Sequence, residues 1–185
     1  IMCKLKKDKL INNEIKTFTI GFENASDILA ADKVADYIDS DHTAYIFTKE
    51  DGLEAIKDII YYLETYDITT IRASIPMYLL TREIKTDTNI KVLLSGEGSD
   101  ELFGGYLYFH KAPNKEEFQK ELKDKMENLH KYDCLRAHKA CMANTIEIRV
   151  PFLDKDFIDY VMNIDPKYKM INEEHKNIEK YILRN

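Results

Sequence analysis

Residues 91–106 read KVLLSGEGSDELFGGY. KVLL is a short continuous apolar run of the kind a fully buried parallel strand requires. The twelve residues after it hold four of the six glycines in the chain and three carboxylates, Glu97, Asp100 and Glu101. Glycine lets a ligand lie against main-chain N–H groups, whereas clustered acids repel a bare phosphate unless Mg²⁺ lies between them. Two established phosphate loops do not fit. The Walker A pattern needs a Gly-Lys-Ser/Thr ending, and the dinucleotide fingerprint needs a glycine where Glu101 stands. A metal-nucleotide site and a glycine-rich turn with a solvated acidic helix start both remain open on spacing alone.

Upstream, strands and helices alternate. Lys16–Phe22 (KTFTIGF) alternates and is β-branched, which predicts a strand. Ser26 is placed to cap a helix carrying Ile28, Ala31, Val34, Ala35 and Ile38 on one stripe. His42–Phe47 (HTAYIF) reads as a second strand. Thr48 with Asp51 resembles a capping box ahead of Leu53, Ile56, Ile59, Ile60 and Leu63. Glu64–Ser74 (ETYDITTIRAS) has no clean period, and a third helix is expected from about Pro76. Such alternation implies βαβ crossovers and a parallel sheet, in which ligands bind beyond the carboxyl ends of the strands. The glycine loop begins at such an end. From Pro113 the alternation stops, and Phe118–Leu129, Asp133–Ala143, Asp156–Asn163 and His175–Leu183 predict an α-helical C-terminal half.

Composition narrows the class. The chain has 185 residues, 44% of them hydrophobic, and a net charge of −6, which argues against nucleic acid or an anionic membrane as partner. No apolar run approaches the roughly 20 residues of a membrane span, and no signal-peptide core follows Ile1, so the expected compartment is the cytosol. Cys3, Cys134 and Cys141 fall in no metal spacing, and buried thiols are expected. An opening at Ile1 predicts a piece of something longer.

Other polar groups collect at informative places. Thr65, Thr69, Thr70, Arg72 and Ser74 offer hydroxyls and a guanidinium suited to an oxyanion, although Arg72 taken singly reads as a surface ion pair. Asp133 and Arg136 are spaced to pair on one helix face. Glu147 and Arg149 read as a local salt bridge ahead of Val150-Pro151-Phe152.

Taken together, ETYDITTIRAS, LSGEGSDELFGGYLYFHKAP, YDCLRAHKA and EIRVPFLDKDF resemble, in order and spacing, the synthetase domain of glutamine-hydrolysing asparagine synthetases, from about Thr17 to the end of the chain. The resemblance implies a parallel α/β sheet of the adenine nucleotide alpha-hydrolase-like (ATP pyrophosphatase) type, with residues 1–185 as a partial domain and 1–16 as a truncated leading segment. It implies an ATP- and Mg²⁺-dependent ligase in which the aspartate β-carboxylate attacks the α-phosphate, pyrophosphate leaves, and ammonia attacks β-aspartyl-AMP. By the same resemblance Ile20 lies against adenine, and Ser95 and Gly96 contact the adenosine, with Gly98 also admitting the nucleotide. Glu97 orients the aspartate amine or relays a proton, and Asp100 shares the Mg²⁺. Thr69, Thr70 and Arg72 lie around phosphate and aspartate, and Asp133 and Arg136 form an aspartate-site pair.

The family's SGGLDSS pyrophosphate loop, its N-terminal glutaminase domain and its late lysine are not found in these residues, so the 185-residue chain is expected to make no asparagine alone. A homodimer through an uncovered sheet edge is also an expectation. A β-lactam-synthetase-like amide ligase and a non-catalytic nucleotide-binding module are the alternatives.

Overall fold

A computed structural model describes residues 2–170; the helix expected at His175–Leu183 lies outside the described residues. The chain divides into two units, Ile1–Lys91 with Lys139–Ile146, and Val92–His138 with Glu147–Asn185. Among the described residues no helix is long and apolar enough to cross a membrane.

The first unit contains α1 (Met2–Lys7), β1 (Lys16–Gly21), α2 (Ser26–Ile38), β2 (Asp41–Ile46), α3 (Lys49–Leu63) and α4 (Ile68–Asp87). β1 and β2 pair in parallel with Lys16 opposite Asp41 and Gly21 opposite Ile46, joined through α2 as the alternating pattern predicts. Ser26 is the first helical residue rather than the cap: Ala25 occupies the N-cap without a side-chain hydrogen bond. The capping box is present as read, since Thr48 Oγ1 accepts from the Asp51 amide and Asp51 Oδ2 accepts from the Thr48 amide. That box sets α3 so that Gly52, Ala55, Ile59 and Leu63 are buried on one face. Ala55, Ile59 and Leu63 pack with Tyr78, Leu79 and Ala140, each large aliphatic side chain contributing about 1.5–3 kcal/mol.

The segment read as aperiodic is helical from Ile68 onward. α4 starts eight residues before Pro76, capped by Asp67, whose Oδ2 accepts from the Thr70 amide at 2.7 Å. Its buried face is partly hydroxylic, with Thr70, Ser74 and Thr81 among Tyr78, Leu79 and Ile84, which hides the apolar period. Ser74 Oγ donates to the Thr70 carbonyl and Thr81 Oγ1 to the Met77 carbonyl, so these hydroxyls are satisfied inside the helix. Pro76 removes one bond of the ladder without ending it. Asn144 closes the unit, its Nδ2 donating to the Tyr78 carbonyl at 2.9 Å and to Thr81 Oγ1 at 3.0 Å.

The second unit contains β3 (Val92–Leu94), α5 (Ser99–Phe103), α6 (Lys115–Asn128), β4 (Glu147–Arg149) and α8 (Lys155–Met162), while α7 (Asp133–Met142) begins in this unit and ends in the first. β3 and β4 pair in parallel, Val92 opposite Glu147 and Leu94 opposite Arg149, so the later part of the chain is not purely helical. Three residues, two of them an ion pair at 2.7 Å, carry no period from which a strand could be read. Nor is β3 fully buried: Val92 is 40% and Leu94 52% exposed. The unit's apolar packing is in two clusters, Leu102, Phe103 and Val161 with Phe152 and Phe157, and Phe109, Phe118 and Leu122. The strands are thus mixed with helices and paired in parallel, as two two-stranded ribbons rather than one continuous sheet among the described residues.

Candidate active site

The glycine loop leaves β3 while still in register, since the Ser95 amide donates to the Arg149 carbonyl at 2.9 Å. Its four glycines do different things. Gly98 caps α5 at φ 90°, and a Cβ there would overlap the Leu153 side chain; Gly104 ends α5 at φ 63°, where a Cβ would come within 2.6 Å of Phe118 Cζ. Both are demanded by the turn itself, so Gly98, which the resemblance assigned to nucleotide access, is accounted for by the fold. Gly105 has no left-handed φ, yet a Cβ would overlap the Asp100 carboxylate. Gly96 is different again. Its φ is ordinary and nothing lies within 4 Å of where a Cβ would stand, so neither backbone nor packing explains it.

Beside Gly96 the acids separate into distinct environments. Arg136 Nη2 donates to Asp133 Oδ1 at 2.7 Å, the pair that the helical spacing predicts, and also to Glu97 Oε2 at 3.1 Å across 39 residues of sequence. Glu97 and Arg136 are largely buried, and the Arg136 Nε is buried without a hydrogen-bond partner. Burial pushes the Glu97 carboxyl above the ordinary carboxylate value; Arg136 opposes the shift, and Asp133, Glu101 and Asp100 add to it. Glu101 turns inward and is 3% exposed, accepting a hydrogen bond from the Tyr106 hydroxyl. Asp100 is exposed. Cys134 is partly buried beside these acids, and burial holds its thiol above the ordinary value, which makes it a poor nucleophile.

A carboxyl whose proton affinity is raised on folding lowers stability while ionised. That cost is present above the raised folded value and disappears as pH falls toward the ordinary glutamate range. Glu97→Gln is therefore expected to raise the unfolding temperature at pH 7, with the difference closing near about pH 4. Thermal melts at both pH values check this, and a lower melting temperature at pH 7 would mean that the Arg136 pairing outweighs burial.

The remaining residues singled out from sequence lie in the first unit. Ile20 is the penultimate residue of β1 and packs against the Ala55–Ile59–Leu63 cluster. In the first turns of α4, Thr69 and Arg72 are exposed, while Thr70 is buried with its amide on Asp67. Within the second unit the structure brings together Glu97, Asp133 and Arg136, with Ser95 and Gly96 on the same loop as Glu97 and Asp100 in the first turn of α5 that follows it. The inward turn of Glu101 and its bond to Tyr106 were not read from the sequence; a tyrosine after two glycines gives no local sign of a partner five residues back.

No group of three or more His, Cys, Asp or Glu that could hold a metal ion occurs among the described residues. A Mg²⁺ carried by a polyphosphate needs only one or two protein carboxylates, phosphate and water supplying the rest, and exposed Asp100 fits that requirement. An amino acid presents a cation and an anion together, and Glu97, Asp133 and Arg136 supply complements for both.

The asparagine synthase family model matches residues 2–123 and 111–185. Asparagine synthetase [glutamine-hydrolyzing] 1 of Lotus japonicus is 56% identical over 172 residues, 93% of this chain and 29% of the relative. The enzyme of Triphysaria versicolor is 54% identical over 179 residues, 97% of this chain and 30% of the relative. Asparagine synthetase [glutamine-hydrolyzing] 3 of Arabidopsis thaliana is 54% identical over 173 residues, 94% and 30%. The chain spans about 30% of the length of these curated relatives.

Proposed function

We propose, on the premise that this chain belongs to the asparagine synthase family, that it serves in ATP-dependent synthesis of asparagine from aspartate, with nitrogen from glutamine and release of AMP and pyrophosphate. The observation that carries the reading is Gly96: a glycine that neither the fold nor the turn requires, next to a half-buried Glu97–Arg136–Asp133 cluster. Space kept open beside charged groups suits a ligand that must approach the backbone closely.

In this reading residues 1–185 form part of a synthetase domain of the ATP pyrophosphatase type, acting with a glutaminase domain, in the cytosol and as a homodimer. Ile20 packs against adenine, and Ser95 and Gly96 line the adenosine. Arg136 holds the aspartate α-carboxylate and Asp133 its amine. The segment of Thr69, Thr70 and Arg72 lies around phosphate and aspartate, with Thr69 and Arg72 exposed there and Thr70 buried in the capped turn that carries them. Bound Mg²⁺ neutralises polyphosphate charge, and Asp100 is the carboxylate that shares it. Glu97, whose proton affinity burial raises, orients the amine or takes a proton from the attacking ammonia; a base is more effective as its pKa nears the working pH.

Calorimetric titration of the chain with AMP, then with Mg-ATP in competition, tests the nucleotide part. Saturable AMP binding displaced by Mg-ATP supports it. No heat at millimolar AMP would overturn it.

A further inference from the structure

The Gly104-Gly105-Tyr106 sequence at the end of α5 has one residue whose role is settled by the turn, Gly104, and two whose roles are not. Gly105 lacks a left-handed φ, so its backbone would accept any L-residue. What excludes a side chain is Asp100, whose carboxylate occupies the place a Cβ would take. The Gly105 amide also donates to the Asp100 carbonyl at 2.8 Å, so the two residues are held together through main chain as well.

Tyr106 acts from the other direction. Its hydroxyl donates to the carboxylate of Glu101, which is 3% exposed, while its ring is stacked with Tyr108 and Phe109. Burying an ionisable group of this kind without a partner is unfavourable, and the hydroxyl supplies the partner. Successive residues of a helix point about 100° apart. Pinning Glu101 inward on a helix of five residues therefore turns its neighbour Asp100 outward.

We propose that Gly105 and Tyr106 are positioning residues for the Asp100 carboxylate: Gly105 by leaving the space it occupies, Tyr106 by fixing Glu101 and with it the rotation of α5. The inference deepens the functional reading above and rests on it, since Asp100 is the carboxylate that meets the divalent cation of the nucleotide. AMP carries no such cation and should be indifferent to where Asp100 points.

The experiment compares ATP affinity with Mg²⁺ and with chelator, alongside AMP affinity, in the unaltered chain, Gly105→Ala, Tyr106→Phe and Glu101→Gln, with circular dichroism to verify folding. The Mg²⁺ enhancement of ATP binding is expected to fall about tenfold, toward none, in Gly105→Ala and Tyr106→Phe while AMP affinity stays within about twofold. Glu101→Gln retains an oxygen for the Tyr106 hydroxyl and is expected to keep the enhancement, a rescue that general loosening of the loop would not give. Should Tyr106→Phe fail to fold, Gly105→Ala decides. An unchanged enhancement in Gly105→Ala, or AMP and Mg-ATP weakened equally, overturns the positioning role and leaves the nucleotide reading standing. AMP binding with no Mg²⁺ enhancement in the unaltered chain does the same. Absence of AMP binding overturns the nucleotide reading itself, and this inference with it.

Discussion

Gly96→Val abolishes AMP binding and leaves the unfolding transition where it was. The two halves of this expected result come from one observation. Nothing lies within 4 Å of a Cβ built on Gly96, and its φ lies in the range open to every L-residue, so the fold has no objection to a side chain. A branched side chain placed there fills space next to Glu97 and Ser95 that a ligand lying against the backbone would need. A loss of at least about a hundredfold in affinity, near 3 kcal/mol, is expected from excluding a ligand from backbone contact. Calorimetry reads the loss, and thermal melting reads the intact fold. Gly98→Val is the contrast: φ 90° and the Leu153 side chain both oppose it, and it is expected to destabilise the loop before any ligand is added. If Gly96→Val binds AMP as tightly as the unaltered chain, the open space beside Gly96 is not where nucleotide sits.

Lys169→Met is expected to stabilise the second unit by about 3 kcal/mol at pH 7. Lys169 comes directly after the turn Pro166–Tyr168 and is fully buried, with its Nζ donating to the Val161 carbonyl at 3.2 Å. Among the described residues no carboxylate pairs with it, and burial pushes its amine down to about 8 from 10.5. A lysine whose folded value is depressed lowers stability wherever it must be charged. The cost is complete below the folded value, shrinks as pH rises through about 8, and is gone above the unfolded value of 10.5. The gain from methionine, which fills a similar volume, should therefore shrink to under about 1 kcal/mol at pH 10. Urea unfolding at the two pH values measures it. A variant less stable than its parent at pH 7 would show that the bond to Val161 outweighs the burial of the charge.

Much of the first unit was legible because its signals are local. A cap is a matter of three residues, as Thr48 and Asp51 show, and the helical period of α3 repeats within one helix, although only Ile59 and Leu63 of the apolar residues read from it are buried while Leu53 and Ile60 are exposed. The same holds for the Asp133–Arg136 pair, set by one turn of α7. Where local signals conflict, reading failed: α4 buries Thr70, Ser74 and Thr81, so its apolar period is broken, and Pro76 points to a helix start where the chain is already helical. The short strand β4 has no period at all and exists because β3 offers its edge.

By itself, then, the sequence determined the βαβ order of the first unit, the capping box of α3, the family to which the chain belongs and the loop in which its glycines and acids gather. Only the tertiary structure decided what each of those glycines and acids does. Gly96, Gly98, Gly104 and Gly105 are the same residue in the same loop, and they differ in φ and in what stands where a Cβ would be. Glu97, Asp100 and Glu101 are likewise similar acids within five positions, yet one meets Arg136, one faces solvent and one is buried under Tyr106. Conformational preference and periodicity are properties of neighbours along the chain, whereas burial and charge pairing depend on residues brought close from elsewhere in it.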